Sequence, residues 1–581
     1  MMLHSWLSWA VAGLGLAAMH GCAEAQSDDT DVDPGSETEA TVGTDDSGAT
    51  DGDTGDTDGD TPMLAWEPCP LSTHGSGDEA DCAVVEVPRD WDDPAGETIE
   101  LFVKRIAGSG PKTRQVWLLS GGPGQSSAPF EDTVVRPLRE LSPASDIYIL
   151  DHRGVGRSTR LGCPDHEVPG VDAIEPGEWP ACIDHLEATW GDGLADFNTT
   201  QAARDVGALI AWTRAPDQDV HVYGVSYGSY WAQRYMQLFP EQPTSVTLDS
   251  LCQAGLCSLD QFDPWVDRVG RKFMQACAAD DFCAGKLGGD PLAAMGAFLD
   301  GLDEGACGGL AEAGITRTMA KQLFGAFLAA LETRPLIPAL VYRGNRCEAG
   351  DVAVFHNLLA VLTAAPDLDS APPDVLLSSQ VLGNHIAISE MMSLELPPLA
   401  QALETQEQAY FWGGDVASEY ALYEQWPRYP RDEYVGEYPS VAFPMLMMNG
   451  TLDPQTPIEF ADEIAPHYAK PGQTFVAVPD APHGIVVRTP TVTAPHTPCG
   501  LSMFAAFVED PLAPVDTSCL SDIVPLDFHG DPATAAALLG TTDAWEDGAP
   551  STSPGPILIG DELEVVRRRF QRARQRPPNA P

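Results

Sequence analysis

The sequence predicts an α/β fold: a mostly parallel β-sheet flanked by helices, with a helical cap domain inserted between the two halves of the sheet. Two observations lead to this prediction. Short apolar runs alternate with helical patterns in the first half of the chain, which is typical of parallel strands joined by crossover helices. A stretch rich in Ala and Leu, from about 252 to 440, then interrupts the strand patterns before they resume.

The strands of the first half are predicted from four short apolar runs, at 115–119, 146–150, 220–223 and 245–248. A helical pattern at 200–213 precedes the third run, and Asn198 or Thr199 is placed to cap it. A second, amphipathic pattern at 227–239 follows the third run and is stopped by Pro240. Strands and helices therefore alternate as they do in a parallel sheet.

The later part of the chain is predicted from the same kinds of pattern. Helical stretches at 291–302 and 318–331 lie in the cap, and strand patterns resume at 444–448 and 474–478. After about 530 we expect irregular structure as far as Asp561, followed by a short Arg-rich helix that is solvated or docks on the protein's own surface. The predicted domains are a first half of the core at 63–251, the cap at 252–440, a second half of the core at 441–530 and a tail at 531–581.

Composition and net charge limit the classes of partner that the chain can bind. The chain has 581 residues, 43% of them hydrophobic, so it is long enough to bury a large core. Its formal net charge of −54 would repel phosphate backbones and anionic lipid surfaces, which argues against nucleic-acid binding. A salt-adapted or merely acidic exported protein is the interpretation we carry forward, and the oligomeric state is left open.

The N-terminus carries the pattern of an export signal. An apolar run of 14 residues at 6–19 is too short to span a bilayer and suits the core of a signal peptide at 1–22. The run leads to Gly21-Cys22, which resembles a lipoprotein processing site, so Cys22 is a candidate for lipidation and membrane attachment. The alternative is an ordinary secretory signal. Residues 23–62 hold 14 acidic and no basic residues, which predicts a disordered linker.

Cysteine usage agrees with export. There are 13 Cys, and lipidation of Cys22 would leave an even set of 12, which suggests disulfides in an oxidising compartment. Sequence neighbours suggest the pairs 69 with 82, 163 with 182 and 499 with 519, although spacing does not fix connectivity. No Cys-x-x-Cys pair or His-rich cluster indicates a metal, and we expect neither a metal nor a cofactor.

The sharpest motif is Gly-Val-Ser-Tyr-Gly at 224–228, between a predicted strand and a predicted helix. This context is the one that a nucleophile elbow requires, with Ser226 exposed on a tight, strained turn. The alternative is an ordinary loop, since a bare Gly-x-Ser-x-Gly is common. The sequence therefore makes Ser226 the candidate nucleophile of an α/β-hydrolase.

A second motif, Ser-Gly-Gly-Pro-Gly at 120–124, directly follows the strand at 115–119. In an α/β-hydrolase, one oxyanion-hole amide comes from the loop in this position and the other from the residue after the nucleophile. These residues are Gly122 and Tyr227 in this chain. The alternative for the loop is an ordinary Gly/Pro turn.

A serine nucleophile needs a base, and the base needs an acid to orient it. Asp453 follows the strand at 444–448 and His483 follows the strand at 474–478, in the chain order Ser, Asp, His that this fold uses. Asp480 is a rival acid but lies too near His483 in sequence, and His496 is a rival base in a loop with no strand before it. The predicted catalytic triad is Ser226, Asp453 and His483.

Together these motifs resemble the prolyl-aminopeptidase and tripeptidyl-aminopeptidase branch of the α/β-hydrolases, over about 85–490 and with a weakly matched cap. The residues that carry the resemblance, besides the elbow, are Gly-Gly-Pro-Gly at 121–124, Asp-His-Arg-Gly-Val-Gly-Arg-Ser at 151–158, Asn-Thr-Thr at 198–200, Ala-Arg-Asp at 203–205, 450–457 and Pro-His-Gly at 482–484. The resemblance implies that 151–158 is a structural turn without a chemical role. One departure is Ser120, where many relatives carry His or Asn.

The resemblance also implies an acidic cap residue that binds the free amine of a peptide, and none matches clearly. Glu390 is the candidate, and the alternative is an exposed helix carboxylate.

The expected function is release of residues from peptide N-termini through an acyl-enzyme. Two alternatives stay open: a carboxylesterase or lipase acting on small acyl esters, and a non-catalytic envelope binding protein that kept the fold. Epoxide hydrolases and haloalkane dehalogenases are disfavoured because they use Asp where this chain has Ser226.

Overall fold

The computed structural model describes residues 64–546 apart from 74, 78, 110–113, 168–173 and 364–376. The predicted signal segment with Cys22, the linker at 23–62 and the Arg-rich end of the chain lie outside the described residues. Nine strands are found in the described part of the chain: β1 Glu67–Cys69, β2 Ala80–Pro88, β3 Thr98–Ile106, β4 Arg114–Leu119, β5 Ser145–Leu150, β6 Asp219–Val225, β7 Ser245–Asp249, β8 Met445–Gly450 and β9 Gln473–Val478.

These strands form one sheet in the order β1-β2-β3-β5-β4-β6-β7-β8-β9. From β5 to β9 all neighbours are parallel, as the sequence predicts. The first three strands are antiparallel to their neighbours and were not predicted. β2 has alternating buried and exposed side chains, the pattern of a sheet margin with one solvated face, so it carries no continuous apolar run.

Seventeen α-helices surround and extend the sheet within the described residues. Four precede β7: α1 Arg136–Leu141, α2 Trp179–Trp190, α3 Thr199–Thr213 and α4 Tyr227–Leu238. Ten lie between β7 and β8: α5 Phe262–Ala279, α6 Asp281–Leu287, α7 Pro291–Glu304, α8 Gly308–Glu312, α9 Arg317–Leu328, α10 Leu336–Arg346, α11 Ala349–Thr363, α12 Gln380–Ile386, α13 Leu399–Gln408 and α14 Val416–Gln425. Three follow β8: α15 Ile458–Ile464, α16 Cys499–Glu509 and α17 Pro532–Leu539.

Short 3₁₀ and π turns complete the helical structure. The π turns are Glu131–Val135 and Ala387–Met391, and the 3₁₀ turns are Gly191–Asp196, Leu259–Gln261, Ala465–His467 and Ser518–Asp522. None of the helices among the described residues is both long and apolar enough to cross a bilayer.

The helical region between β7 and β8 interrupts the chain but not the sheet. β7 and β8 are parallel neighbours in register, with Val246 opposite Met445, although ten helices separate them in sequence. The helical region has a hydrophobic core of its own, which includes Phe273, Phe327 and Leu340. The sequence prediction of a helical insertion between two halves of a mostly parallel sheet is confirmed, while the exact domain boundaries stay a prediction.

The segment after 530 differs from the expected irregular structure. Residues Pro532–Leu539 form α17, whose first turn is capped because the Asp531 side chain accepts a hydrogen bond from the Thr534 amide at 2.7 Å. Leu538, Leu539 and Trp545 are buried in the same hydrophobic cluster as the inserted helices. The pattern was missed because the helix has only 8 residues and is apolar almost all round.

Six disulfides lie in the described structure: 69–82, 163–182, 252–257, 277–283, 307–347 and 499–519. The three pairs expected from sequence neighbours are among them. The bond between Cys252 and Cys257 closes a short loop directly after β7, next to the candidate site described below.

Candidate active site

Ser226 lies on the tight turn between β6 and α4, with φ +59° and ψ −127°. This conformation is strained for a residue with a side chain, and it is the one expected of a nucleophile elbow. Both flanking glycines are required by packing. A Cβ atom on Gly224 would clash with the carbonyl oxygen of Gly228, and one on Gly228 would clash with the carbonyl oxygen of Leu119.

The loop after β4 runs beside the nucleophile. A Cβ atom built on Gly121 would lie 3.0 Å from Cβ of Ser226, so the loop backbone passes next to it. Ser120 supports the loop by donating from Oγ to the carbonyl oxygen of Gln125 at 3.0 Å. Gly122 and Tyr227 line the same cavity as Ser226, and the Tyr227 amide opens α4, where backbone N–H groups have no acceptor within the helix.

His483 and Asp453 are paired. The two Asp453 carboxylate oxygens lie 2.9 and 3.1 Å from Nδ1 of His483, and both residues are buried. One Asp453 oxygen also accepts from the amides of Gln455 and Thr456 at 2.8 and 2.9 Å, and the other accepts from the Thr456 hydroxyl at 2.9 Å. These bonds fix the carboxylate against the imidazole.

The two rivals considered from the sequence lie elsewhere. Asp480 and His496 are both exposed at the surface, outside the cavity that Ser226 lines.

Asp249, at the end of β7, connects the nucleophile to the histidine loop. Its carbonyl oxygen accepts from the Ser226 amide at 2.9 Å, and its carboxylate accepts from the amides of Ile485 and Val486 at 2.8 and 2.9 Å. The hydroxyl of the next residue, Ser250, accepts from the Gly484 amide at 2.8 Å. Asp249 thereby holds together the Ser226 turn, which precedes the inserted helices in sequence, and the loop after His483, which follows them.

Sequence reasoning missed the roles of Asp249 and Thr456. The one signal that could have found Asp249 is its place at the end of a buried strand beside the elbow strand, and no signal in the sequence distinguishes Thr456. Thr456 lines the Ser226 cavity, and its hydroxyl also lies 3.2 Å from Nδ1 of His483. The cavity, the elbow and the histidine therefore belong to one site.

The Ser226 cavity is walled mainly by apolar side chains from the inserted helices. Its apolar lining consists of Pro123, the Cys252–Cys257 disulfide, Leu259, Phe262, Trp265, Ala387, Met391 and Phe460. None of the described residues that line it carries a charge. Oγ of Ser258 and Oε1 of Gln455 are buried without a hydrogen-bond partner among the described residues, and both residues line the cavity.

Glu390 lies outside the cavity that Ser226 lines. It is buried rather than exposed. Its carboxylate accepts from the hydroxyls of Tyr230 and Tyr429 at 2.7 and 2.8 Å, and it forms an ion pair with Arg234 at 3.5 Å. These partners hold Glu390 between α4 and the inserted helices, and its binding of a substrate amine stays a prediction.

The turn after β5 is structural, as the resemblance implied. Asp151 accepts from the Ser127 amide and from the side chain of Arg157, both at 2.8 Å. Burial acts to raise the pKa of Asp151, but the charge and hydrogen bonds of Arg157 outweigh it and hold the pKa below its ordinary value. Burial lowers the pKa of His152 to about 3, so its imidazole is neutral near neutral pH.

No group of three or more His, Cys, Asp or Glu side chains within the described ranges is arranged to hold a metal ion.

Comparison with known proteins agrees with this architecture. The α/β hydrolase fold family matches residues 116–285, from β4 through the elbow into α6. The chain has the α/β-hydrolase fold. A second family, described as TAP-like protein, matches residues 409–519, which contain Asp453 and His483. The resemblance inferred from the motifs is confirmed at the level of these two families.

Three curated relatives of this α/β-hydrolase chain carry different names. The tripeptidyl aminopeptidase of Streptomyces lividans is 28% identical over 207 residues, which cover 32% of this chain and 38% of that protein. The serine protease Hip1 of Mycobacterium tuberculosis is 26% identical over 246 residues, 37% of this chain and 44% of the relative. Carboxylesterase B of M. tuberculosis is 26% identical over 164 residues, 25% of this chain and 32% of the relative. The matched stretches span less than half the length of these relatives.

Proposed function

We propose that this chain is a serine hydrolase that releases residues from peptide N-termini through an acyl-enzyme. The observation that carries the proposal is the strained Ser226 elbow, whose amide is held by the same Asp249 that holds the loop bearing His483. Further support comes from Thr456, which lines the Ser226 cavity and whose hydroxyl lies 3.2 Å from Nδ1 of His483.

In the proposed reaction, Oγ of Ser226 attacks the substrate carbonyl carbon while His483 takes the hydroxyl proton. Asp453 keeps the imidazole oriented, and the amides of Gly122 and Tyr227 donate to the oxyanion of the tetrahedral intermediate. His483 then gives its proton to the leaving amine as the carbon–nitrogen bond breaks. Water, deprotonated by His483, attacks the acyl-enzyme, and Ser226 recovers its proton when the acid leaves.

The peptide assignment is supported by the relatives named tripeptidyl aminopeptidase and serine protease Hip1 and by the TAP-like match. A second candidate is a carboxylesterase acting on small acyl esters. It is favoured by the apolar, uncharged lining of the Ser226 cavity and by the relative named carboxylesterase B.

Export is part of the proposal. The six disulfides within the described part of the chain support an oxidising compartment. The signal peptide and the lipidation of Cys22 stay predictions.

A hydrolysis panel with wild type and Ser226→Ala tests the function. Free and N-blocked aminoacyl, prolyl and tripeptidyl amides are compared with short acyl esters. We expect cleavage of the free-amine amides, reduced by up to about a millionfold in Ser226→Ala because the nucleophile is removed. His496→Gln, at the exposed rival histidine, serves as the control and should retain wild-type turnover.

Survival of most activity in Ser226→Ala would overturn the mechanism. Cleavage of esters without amides would keep the mechanism and replace the peptidase by the carboxylesterase. A third reading, a non-catalytic binding protein, predicts no covalent labelling of Ser226 by a fluorophosphonate probe, whereas the proposed enzyme is labelled in wild type but not in Ser226→Ala.

A further inference from the structure

A second cavity lies beside the Ser226 cavity, inside the inserted helical region. It is bounded by α5, the π turn Ala387–Met391, α13 and α14. The two cavities share Leu259 as a common wall. Neighbouring residues of one segment face opposite ways: Ala387 and Met391 line the Ser226 cavity, and Ile388 and Met392 line the second.

The second cavity contains a polar side chain that the fold leaves unsatisfied. Asn384, on α12, is fully buried at 0% exposure and lines the cavity. Neither Oδ1 nor Nδ2 of its carboxamide has a hydrogen-bond partner among the described residues. Such a group destabilises a folded chain unless something pairs with it, because burial removes its bonds to water.

A second unsatisfied group lines the same cavity. The indole Nε1 of Trp412 is buried there and has no acceptor within the described part of the chain. Asn384 offers one acceptor and two donors, and Trp412 offers one donor. A residue of an extended peptide presents the complementary pair, its own N–H donor and its own C=O acceptor, on the same side of the chain, where one carboxamide can meet both.

The charges of the cavity decide which end of a peptide fits. Asp260, Asp263 and Glu419 line it. Burial, together with the charges of Asp260 and Glu419, raises the pKa of Tyr420, which also lines the cavity. This negative potential disfavours the carboxylate end of a peptide and favours its positively charged amino end.

We propose that the second cavity binds the N-terminal part of a peptide substrate, with the Asn384 carboxamide paired to the backbone N–H and C=O of a residue that precedes the one held at Ser226. This inference rests on the proposed peptidase function and adds that the preferred acyl group has more than one residue. In this arrangement Leu259 lies between the substrate residue whose carbonyl reacts with Ser226 and the substrate residues that precede it.

Asn384→Leu tests the proposal because leucine has a similar volume and removes only the polar atoms. We expect kcat/KM for a free tripeptidyl amide to fall about 10- to 100-fold through the loss of two buried hydrogen bonds. Hydrolysis of an aminoacyl amide and of an acetyl ester, which do not reach the second cavity, should stay at the wild-type level. Trp412→Phe should show the same selectivity with a smaller loss.

The thermal midpoint separates this effect from damage to the fold. A buried, unsatisfied carboxamide replaced by leucine should leave the midpoint unchanged or raise it. Asn345→Leu, at an exposed position on α10, is the matched control and should leave all substrates unaffected. Equal tripeptidyl activity in wild type and Asn384→Leu, or an equal loss on all substrates, would overturn the inference.

The design distinguishes failure of this inference from failure of the proposed function. If wild type cleaves the acetyl ester but no amide, the peptidase proposal fails while Ser226 is active. Inhibition of ester hydrolysis by a free tripeptide then tests the cavity alone. A weaker inhibition of Asn384→Leu than of wild type would support the site, and identical inhibition of both would overturn it.

Discussion

The buried carboxylate of Asp249 joins parts of the site that come from distant stretches of sequence. It accepts from two amides of the loop that bears His483 and also from the hydroxyls of Tyr223 and Ser250 at 2.9 and 3.0 Å. Burial raises the pKa of Asp249, while these donors act to lower it. The residue touches no reacting atom, so it acts as a positioning residue for His483.

Asp249→Asn should lower kcat about 100-fold with little change in KM. The new amide would place N–H donors against the amides of Ile485 or Val486, and a small displacement of a catalytic group costs about this much in rate. Steady-state kinetics on the substrate found in the panel measure both constants. Tyr223→Phe is the control, since it removes one donor and leaves both backbone contacts; wild-type kcat in Asp249→Asn would contradict the role.

At the scale of the elements, the segment from Phe528 to Trp545 packs against the inserted helices. Trp545 is 1% exposed, and its Nε1 donates to the Phe528 carbonyl oxygen at 2.8 Å. Its ring lies 5.3 Å from that of Phe282 on α6 and 5.7 Å from that of Tyr342 on α10. Residues at the end of the described chain therefore complete the core of the helical region that covers the site.

Trp545→Ala should lower the free energy of unfolding by about 3 to 5 kcal/mol, the usual cost of emptying a buried tryptophan site. Urea denaturation measures the change. Leu512→Ala is the control, because Leu512 is 82% exposed and its loss should leave the midpoint unchanged. An unchanged midpoint in Trp545→Ala would mean that the segment does not stabilise the helical region.

At the scale of the whole molecule, the free energy of unfolding depends on pH through buried histidines that stay neutral in the folded state. Burial lowers the pKa of His152 to about 3 and the pKa values of His221 and His385 to about 4. In the unfolded chain the same groups titrate near 6.5. The unfolded state therefore binds more protons below pH 6.5, and their contribution to stability is lost as the pH falls from 6.5 towards 4.

His221→Gln should make this loss shallower, by up to about 1.4 kcal/mol for each pH unit between 6.5 and 4. The measurement is the free energy of unfolding in urea, taken across that range for wild type and variant. His356→Gln, at an exposed position on α11, should keep the wild-type slope. Parallel pH dependences for wild type and His221→Gln would show that His221 is not held neutral.

Much of the fold and of the candidate site could be predicted because their signals are local. A parallel strand buried on both faces reads as an apolar run, so β4 to β8 were placed to within two residues. The half-buried edge strand β9 carries enough apolar residues to be placed equally well. The elbow at Ser226 needs glycines at fixed offsets, and the loops bearing Asp453 and His483 directly follow strands. Strand ends, turn residues and chain order together specified these three residues without any tertiary information.

The rest depended on contacts between residues far apart in sequence. Glu390 could be named as a carboxylate in the cap, but only packing against Arg234 and two tyrosines decided that it is buried and occupied. Asp249 reads as an ordinary strand end until the amides of Ile485 and Val486 are brought to it. Asn384 looks like any polar residue of a helix, and its unsatisfied carboxamide exists only because four separate segments close around it. Sequence determines local conformation, whereas the burial and partners of a polar group are set by what the whole chain folds against it.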